Sequence, residues 1–280
     1  MLEEMLALGF MQRALAAAAL TGLLCGFVGF FVVLNHMSFL GVGLSHSAFG
    51  GLALGLVMGW PPMLTGAAFS LLSALGIGAL GRDRRMGTDT AVGILFATAM
   101  ALGIALTGLI RGQYVDLFSY LFGNVLTVSS SELWALIITA ALVFTVLGAY
   151  FKPMLYISFD PESAEAGGLP VTSLHYLLLI LVALTVIVAV KVVGVILASA
   201  FLTIPPASAL QLSTRYRQVV LLSMSLALMA ALGGLFISFV VDISSGAAII
   251  LLSSAIFAMA AAVRRLRPPL TAPKKLRLPS

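Results

Sequence analysis

Charge is what this chain has least of. Among 280 residues only 15 are Lys or Arg and 10 are Asp or Glu, 9% in all, against about 25% in an ordinary soluble domain. With 61% hydrophobic residues there is too little polar surface to coat a water-soluble globule, so soluble enzymes and nucleic-acid binders are excluded together. Cysteine is nearly absent as well. The single Cys25 allows no internal disulfide, which removes disulfide scaffolds. No G-x-x-x-x-G-K stretch occurs, so the chain does not hold ATP in a P-loop. Neither G-x-S-x-G nor H-E-x-x-H occurs, and an intramembrane hydrolase has no ready constellation. No Gly-rich linker separates a second domain.

What is present is a series of apolar runs long enough to cross a bilayer, about 20 residues each at 1.5 Å per residue. The mean hydropathy is +1.15. The pattern predicts an all-α polytopic membrane protein with nine spans, at 14–34, 37–59, 61–80, 90–110, 132–150, 172–190, 192–211, 218–240 and 244–263. Trp60-Pro61-Pro62 separates the second and third, residues 81–87 the third and fourth, and Lys152-Pro153 is expected to end the fifth. The run at 14–34 is too long for the apolar core of a signal peptide and follows no basic cluster, so a retained helix is expected. The whole of 1–280 reads as one transmembrane domain.

The basic residues set the orientation. If the C-terminus is cytoplasmic, twelve of them face the cytoplasm (Arg82, Arg84, Arg85, Lys152, Arg215, Arg217, Arg264, Arg265, Arg267, Lys274, Lys275 and Arg277) and three face out (Arg13, Arg111 and Lys191). That asymmetry puts the N-terminus, with Glu3 and Glu4, outside. The pI near 9.7 therefore reports topology, not an anionic polymer as partner. The tail 264–280 holds four prolines and six basic residues and reads as an anchor on anionic lipid. Glycines four apart, Gly22/Gly26 and Gly51/Gly55/Gly59, predict close helix packing.

Ionisable residues within spans are costly and mark function by default. His46, flanked by Ser45 and Ser47 in the second span, is either a packing histidine bonded to a nearby carbonyl or a metal ligand through a neutral imidazole. His36 falls in the turn before that span, and His175 near the cytoplasmic end of the sixth. Asp116 and Asp242 fall on the outer side near Asn124 and Glu132. There, segment 113–131 is too interrupted to span, and acids would concentrate cations. Pro205 and Pro206 in the seventh span are expected to break its hydrogen-bond ladder, where the break either lines a cavity or is a simple kink. The cytoplasmic segment 158–170 predicts a short helix capped by Ser158, with Pro161 in its first turn and Gly167 stopping it. Gly167 and Gly168 are expected in backbone conformations costly for other residues.

Together these stretches resemble the permease subunits of ABC importers for zinc, manganese or iron. The likeness rests on Met37-Ser38-Phe39-Leu40-Gly41 with Leu44-Ser45-His46-Ser47, Asp116-Leu117-Phe118-Ser119-Tyr120-Leu121-Phe122-Gly123-Asn124, the loop 160–169, Val193-Gly194 through Pro205-Pro206-Ala207, and 242–246. It implies a fold like that of cobalamin-type (type II) importer permeases, a homodimer enclosing the path, two separate ATPase subunits and an extracytoplasmic metal-binding protein, in a prokaryotic inner membrane. It implies transient metal contact at His46, cation contact at Asp116 and Asp242, a pathway kink at Pro205 and Pro206, and ATPase coupling through Asp160, Glu162, Ala166, Gly167 and Gly168. No permanently bound cofactor is implied. The sequence departs from the family pattern in three places: Val42 and Asn124 stand where many members carry Asp, and Ala97 where some carry His. A rival reading, a stand-alone secondary transporter or cation channel, predicts internal repeats, and no clear repeat is seen. Imidazole and carboxylate suit Zn²⁺, Mn²⁺ and Fe²⁺ alike.

Overall fold

Backbone amides find no partner in hydrocarbon, so each apolar run must satisfy its hydrogen bonds internally as a helix. The computed structural model, which describes residues 9–81, 87–109 and 128–266, has this all-helical form. Among the described residues nine helices are long and apolar enough to span: α1 (Gly9–Leu34), α2 (Leu40–Met58), α3 (Pro62–Leu80), α4 (Gly87–Leu109), α5 (Ser130–Ala149), α8 (Val171–Val193), α9 (Val195–Leu212), α10 (Tyr216–Val241) and α11 (Ser245–Leu266). Two shorter helices, α6 (Phe151–Phe159) and α7 (Pro161–Ala166), lie between α5 and α8. Several spans outrun their apolar cores. The 26 residues of α1 reach about 39 Å, so its first turns, with Gln12 and Arg13, extend past a ~30 Å hydrocarbon layer.

Alternation of the spans sends Lys152, Arg215, Arg217, Arg264 and Arg265 to one end, hereafter the basic end, and Glu132, Lys191 and Asp242 to the other. Lys152-Pro153 does not stop the fifth span. Helix α5 ends at Ala149, and Pro153 sits in the first turn of α6, where a missing N–H costs nothing. Between α2 and α3, Gly59 turns left-handed (φ +69°) and Pro62 opens the next helix.

Helix α1 forms the centre, packed on α5, α8, α9 and α10, with 72% of its most apolar stretch buried. Helix α2 lies between α3 and α4 and touches α8 and α9. Helix α4 is outermost, 17% buried over the same measure. The small-residue faces act as expected except at Gly59, which closes α2 and would meet no atom within 4 Å with an added Cβ. Gly22 and Gly26 meet the α10 backbone, where Ser223 Oγ donates to the Gly26 carbonyl (2.6 Å). Gly51 and Gly55 meet Thr65 on α3.

The tandem proline does not break α9, which runs unbroken through Pro205 and Pro206. Pro206 has no N–H to offer the Leu202 carbonyl four residues back. That carbonyl instead faces Gly29 of α1, whose missing side chain would otherwise occupy the same space. A glycine Cα–H against a freed carbonyl is a weak contact of the kind common at close helix crossings. One of the two carbonyls that the tandem proline leaves without a ladder donor is thus met inside the protein, and the helix runs on through both prolines.

Candidate functional site

Helix α2 enters at the basic end through a fixed corner. Asn35 ends α1, His36 is left-handed (φ +58°), and the His36 and Met37 N–H groups return to Val33 O (3.1 Å) and Val32 O (2.9 Å). This is a Schellman closure with histidine at the position glycine usually takes. His46, the seventh residue of α2, lies about 9 Å along the helix from that corner.

From Gly41 to Gly50 every residue is buried except Val42 and His46, which are half-buried. Four apart, they make one narrow open face. The buried neighbours pack on three sides: Gly41 on Leu202 of α9, Gly43 on Val92 of α4, and Leu44 through its carbonyl, which accepts from Ser70 Oγ of α3 (3.1 Å). The imidazole meets the Phe96 ring of α4 edge-on, centroids 4.9 Å apart. His46 Nδ1 lies 2.9 Å from Val42 O. A carbonyl only accepts, so Nδ1 carries a proton, and an imidazole holding that single proton keeps its lone pair on Nε2. This is both the carbonyl-bonded histidine the sequence allowed and the arrangement in which a second-shell carbonyl orients an imidazole ligand. Val42, where an acid would stand four residues before His46, contributes through its backbone. Ser45 and Ser47 hydroxyls bond back to Val42 O (3.0 Å) and Gly43 O (2.7 Å), so they are turned into the helix. Among the described residues no three His, Cys, Asp or Glu side chains converge on a metal-sized site.

The outer acids are not gathered around His46. Asp116 and Asn124 lie outside the described residues. Asp242 is exposed at the opposite end, in the left-handed position (φ 57°) that closes α10 and that Asp tolerates better than most residues. Ser238 Oγ donates to Ile243 O (2.6 Å) and ties that turn down. Glu132 is not a free cation attractor. Its carboxylate accepts from Ser129 N (2.9 Å) in a capping box at the start of α5 and faces Lys191 Nζ at 3.4 Å. Lys191 closes the last turn of α8, so the pair ties α5 to α8.

At the basic end α7 stands out from the bundle. Its cap is Asp160, not Ser158: Ser163 N and Oγ both donate to the Asp160 carboxylate (3.0 and 2.5 Å). These bonds from the Ser163 side chain, then from its backbone, hold the exposed Asp160 carboxyl below its ordinary range. The cap is therefore intact above the ordinary carboxylate range and is lost only as pH falls through the lowered value. Ser158 is the penultimate residue of α6 and bonds back to Met154 O (2.7 Å). At the far end Gly168 N and Leu169 N return to Glu165 O (2.9 Å) and Ala164 O (3.0 Å), a Schellman closure with Gly168 left-handed at φ +83°. Gly167 is at φ −77°, a conformation open to any residue, so only Gly168 has the costly geometry expected of both. Ala164 is fully buried against Ile157 and Leu174, while Asp160, Glu162, Glu165, Ala166, Gly167 and Gly168 are all exposed. One alanine docks the helix and the rest of it is presented outward.

Comparison with known proteins decides the family. The model of the ABC 3 transport family matches residues 7–264. The chain belongs to the ABC 3 transport family. It is 36% identical over 258 residues to the manganese transport system membrane protein MntC of Halalkalibacterium halodurans, covering 92% of this chain and 88% of that one. It is 36% identical over 267 residues to a probable iron transport system membrane protein of Haemophilus influenzae, covering 95% and 98%. Among solved structures, PsaBC from Streptococcus pneumoniae in complex with Fab superposes with a TM-score of 0.81 at 32% identity over 98% of both chains. The resemblance to metal-uptake ABC permeases and the nine-span architecture are thereby borne out. Within this family frame, sequence reasoning passed over Phe96 beside His46, the Glu132–Lys191 pair, and Asn35, whose position at a helix end next to a histidine gave no hint of its distant partner.

Proposed function

We propose that this permease carries divalent manganese or iron inward across a prokaryotic inner membrane, as a homodimer driven by two separate ATPase subunits and fed by an extracytoplasmic metal-binding protein. The N-terminus is outside and the basic end cytoplasmic, following the distribution of Lys and Arg. The observation that carries the reading is the open Val42–His46 strip, the one interruption in an otherwise buried stretch of α2, with Nε2 as the atom bearing the lone pair. Beside it α4 has little of its surface covered, so a second copy there would close a path around two imidazoles. With no carboxylate at residue 42, each His46 contacts a cation that keeps part of its water shell. Such a contact is weak, and passage requires release as well as binding. Asp116 and Asp242 contact cations at the outer mouth, and Pro205 and Pro206 of α9 kink that helix beside the path.

In the same reading α7 is the coupling helix. Asp160 caps it, Gly168 closes it, and Glu162, Ala166 and Gly167 offer its exposed surface to the ATPase. The test is reconstitution with the ATPase and binding-protein partners in vesicles, followed by element analysis after ATP addition. ATP-dependent accumulation of Mn²⁺ or Fe²⁺ that His46→Ala lowers several-fold, with ATPase still bound, is the expected result. Accumulation without ATP would instead favour a stand-alone secondary transporter.

A further inference from the structure

Helix α6 is fastened at one end to the last turns of α1 and at the other to the α1–α2 corner. At its first residue, the Phe151 ring stacks on Phe27 and Phe30 of α1 (centroids 6.1 and 6.2 Å), meets Phe31 edge-on (5.2 Å) and lies 6.0 Å from the Tyr216 ring that opens α10. At its far end, Asn35 Nδ2 donates to Ser158 Oγ at 2.9 Å across 123 residues of sequence. The proton inventory of this bond is closed. Asn35 Nδ2 also donates to Phe31 O (2.8 Å), which fixes the amide's orientation. The Ser158 hydroxyl proton is committed to Met154 O (2.7 Å), so its oxygen must accept from Asn35. Capping α1 requires only the bond to Phe31. The bond to Ser158 is additional, and it joins two elements that meet nowhere else through polar groups among the described residues.

What lies on either side gives the bond its meaning. Asn35 is followed by the Schellman corner and then by Met37, 2% exposed, whose carbonyl accepts from Leu40 N (2.9 Å) to start α2. Ser158 is followed by Phe159 and then Asp160, which both ends α6 and caps α7. No residue of free loop intervenes between α6 and α7.

We propose that Asn35 and Ser158 form a polar strut that carries displacement of α7 to the helix bearing His46. They are positioning residues for translocation, acting through α2 and never touching the cation. This rests on the import reading above. The aromatic clamp at Phe151 serves as the fulcrum, and the Asn35–Ser158 bond is the point where motion at α7 becomes a shift of the α1–α2 corner.

The test uses Asn35→Ala, Ser158→Ala, the double variant and Ser158→Thr in the full permease–ATPase complex reconstituted in vesicles. Manganese, ferrous and zinc salts are supplied in turn, and ions accumulated per ATP hydrolysed are measured. Each alanine variant is expected to lower that ratio about threefold or more while assembly and ATPase rate persist. The double variant should be no worse than the poorer single, because one bond is lost in every case. Ser158→Thr, which keeps the hydroxyl, should restore the wild-type ratio. Should Asn35→Ala fail to assemble, the contrast between Ser158→Ala and Ser158→Thr decides alone. An unchanged ratio, losses that multiply in the double variant, or threonine behaving like alanine overturns the strut. Wild-type vesicles that accumulate none of the three metals would refute the import reading itself, together with the strut.

Discussion

Replacing Gly29 by alanine probes the close crossing of α1 and α9 at Leu202. A Cβ built at Gly29 lies 3.0 Å from the Leu202 carbonyl carbon and 3.1 Å from its Cα, with the carbonyl oxygen nearer still. All three are backbone atoms, so no rotamer change relieves the overlap. Ordinary carbon contact needs about 3.5–4.0 Å, and α1 and α9 must separate by several tenths of an ångström or more. Overpacking of this kind costs about 1–3 kcal/mol. The gain in helix propensity from Gly to Ala returns at most about 1 kcal/mol, leaving a net loss of roughly 1–2 kcal/mol. Gly93 of α4, where an added Cβ would meet no atom of the same subunit within 4 Å, is the matched control in detergent that separates the copies, and should become neutral to slightly more stable as alanine. Reversible unfolding in mixed detergent, read by tryptophan fluorescence and backbone circular dichroism, measures both. If Gly29→Ala is as stable as Gly93→Ala, the close approach of α1 and α9 at Leu202 is wrong, and the account of how the proline-freed carbonyl is satisfied falls with it.

Three further outcomes are expected. Gly168→Val forces a β-branched residue into a left-handed conformation at a cost of about 1–2 kcal/mol or more. It should reduce ATPase co-purification or uptake per ATP. His46→Ala should lower uptake without changing the melting temperature by more than about 2 °C, and a variant that transports at the wild-type rate would leave His46 a packing residue. Lys191→Glu sets two carboxylates face to face and should destabilise the α5–α8 contact by up to about 1 kcal/mol, less in high salt. The exchanged pair Glu132→Lys with Lys191→Glu should recover only part of the loss, because lysine cannot accept from Ser129 N in the capping box.

The spans were legible because a 20-residue apolar run has only one way to satisfy its backbone in lipid. The ends of elements were less so, and the errors share a cause. Ser158 reads as a cap by residue type, but the apolar face of Met154, Leu155 and Ile157 carries α6 onward to Phe159. A serine inside a helix can bond its own fourth-preceding carbonyl. Asp160, out of the helix at φ −149° and ψ 83°, then takes the cap. Pro153 reads as a terminator, yet one residue decides whether a proline stops a helix or sits harmlessly in the first turn of the next. The candidate His46 was visible from its cost in a membrane. Its tautomer was not, because that depends on which atom of Val42 faces it. The Asn35–Ser158, Glu132–Lys191 and Gly29–Leu202 contacts join positions 59 to 173 residues apart, and no local pattern announces such pairings.

The way α7 is held has a bearing on how partner subunits are exchanged. Its own contact with the bundle is one fully buried methyl group, that of Ala164, and its shape is kept by hydrogen bonds at its two ends. A peptide secured this way keeps its fold whether or not anything lies against it. In the import reading proposed above, an empty permease then presents α7 already folded, and an arriving ATPase meets little ordering cost at that surface. Affinity for the ATPase can then drift through exposed side chains such as Glu162 and Glu165 while the membrane domain is left untouched. Partner choice would evolve on one short helix, separately from the machinery that moves the ion.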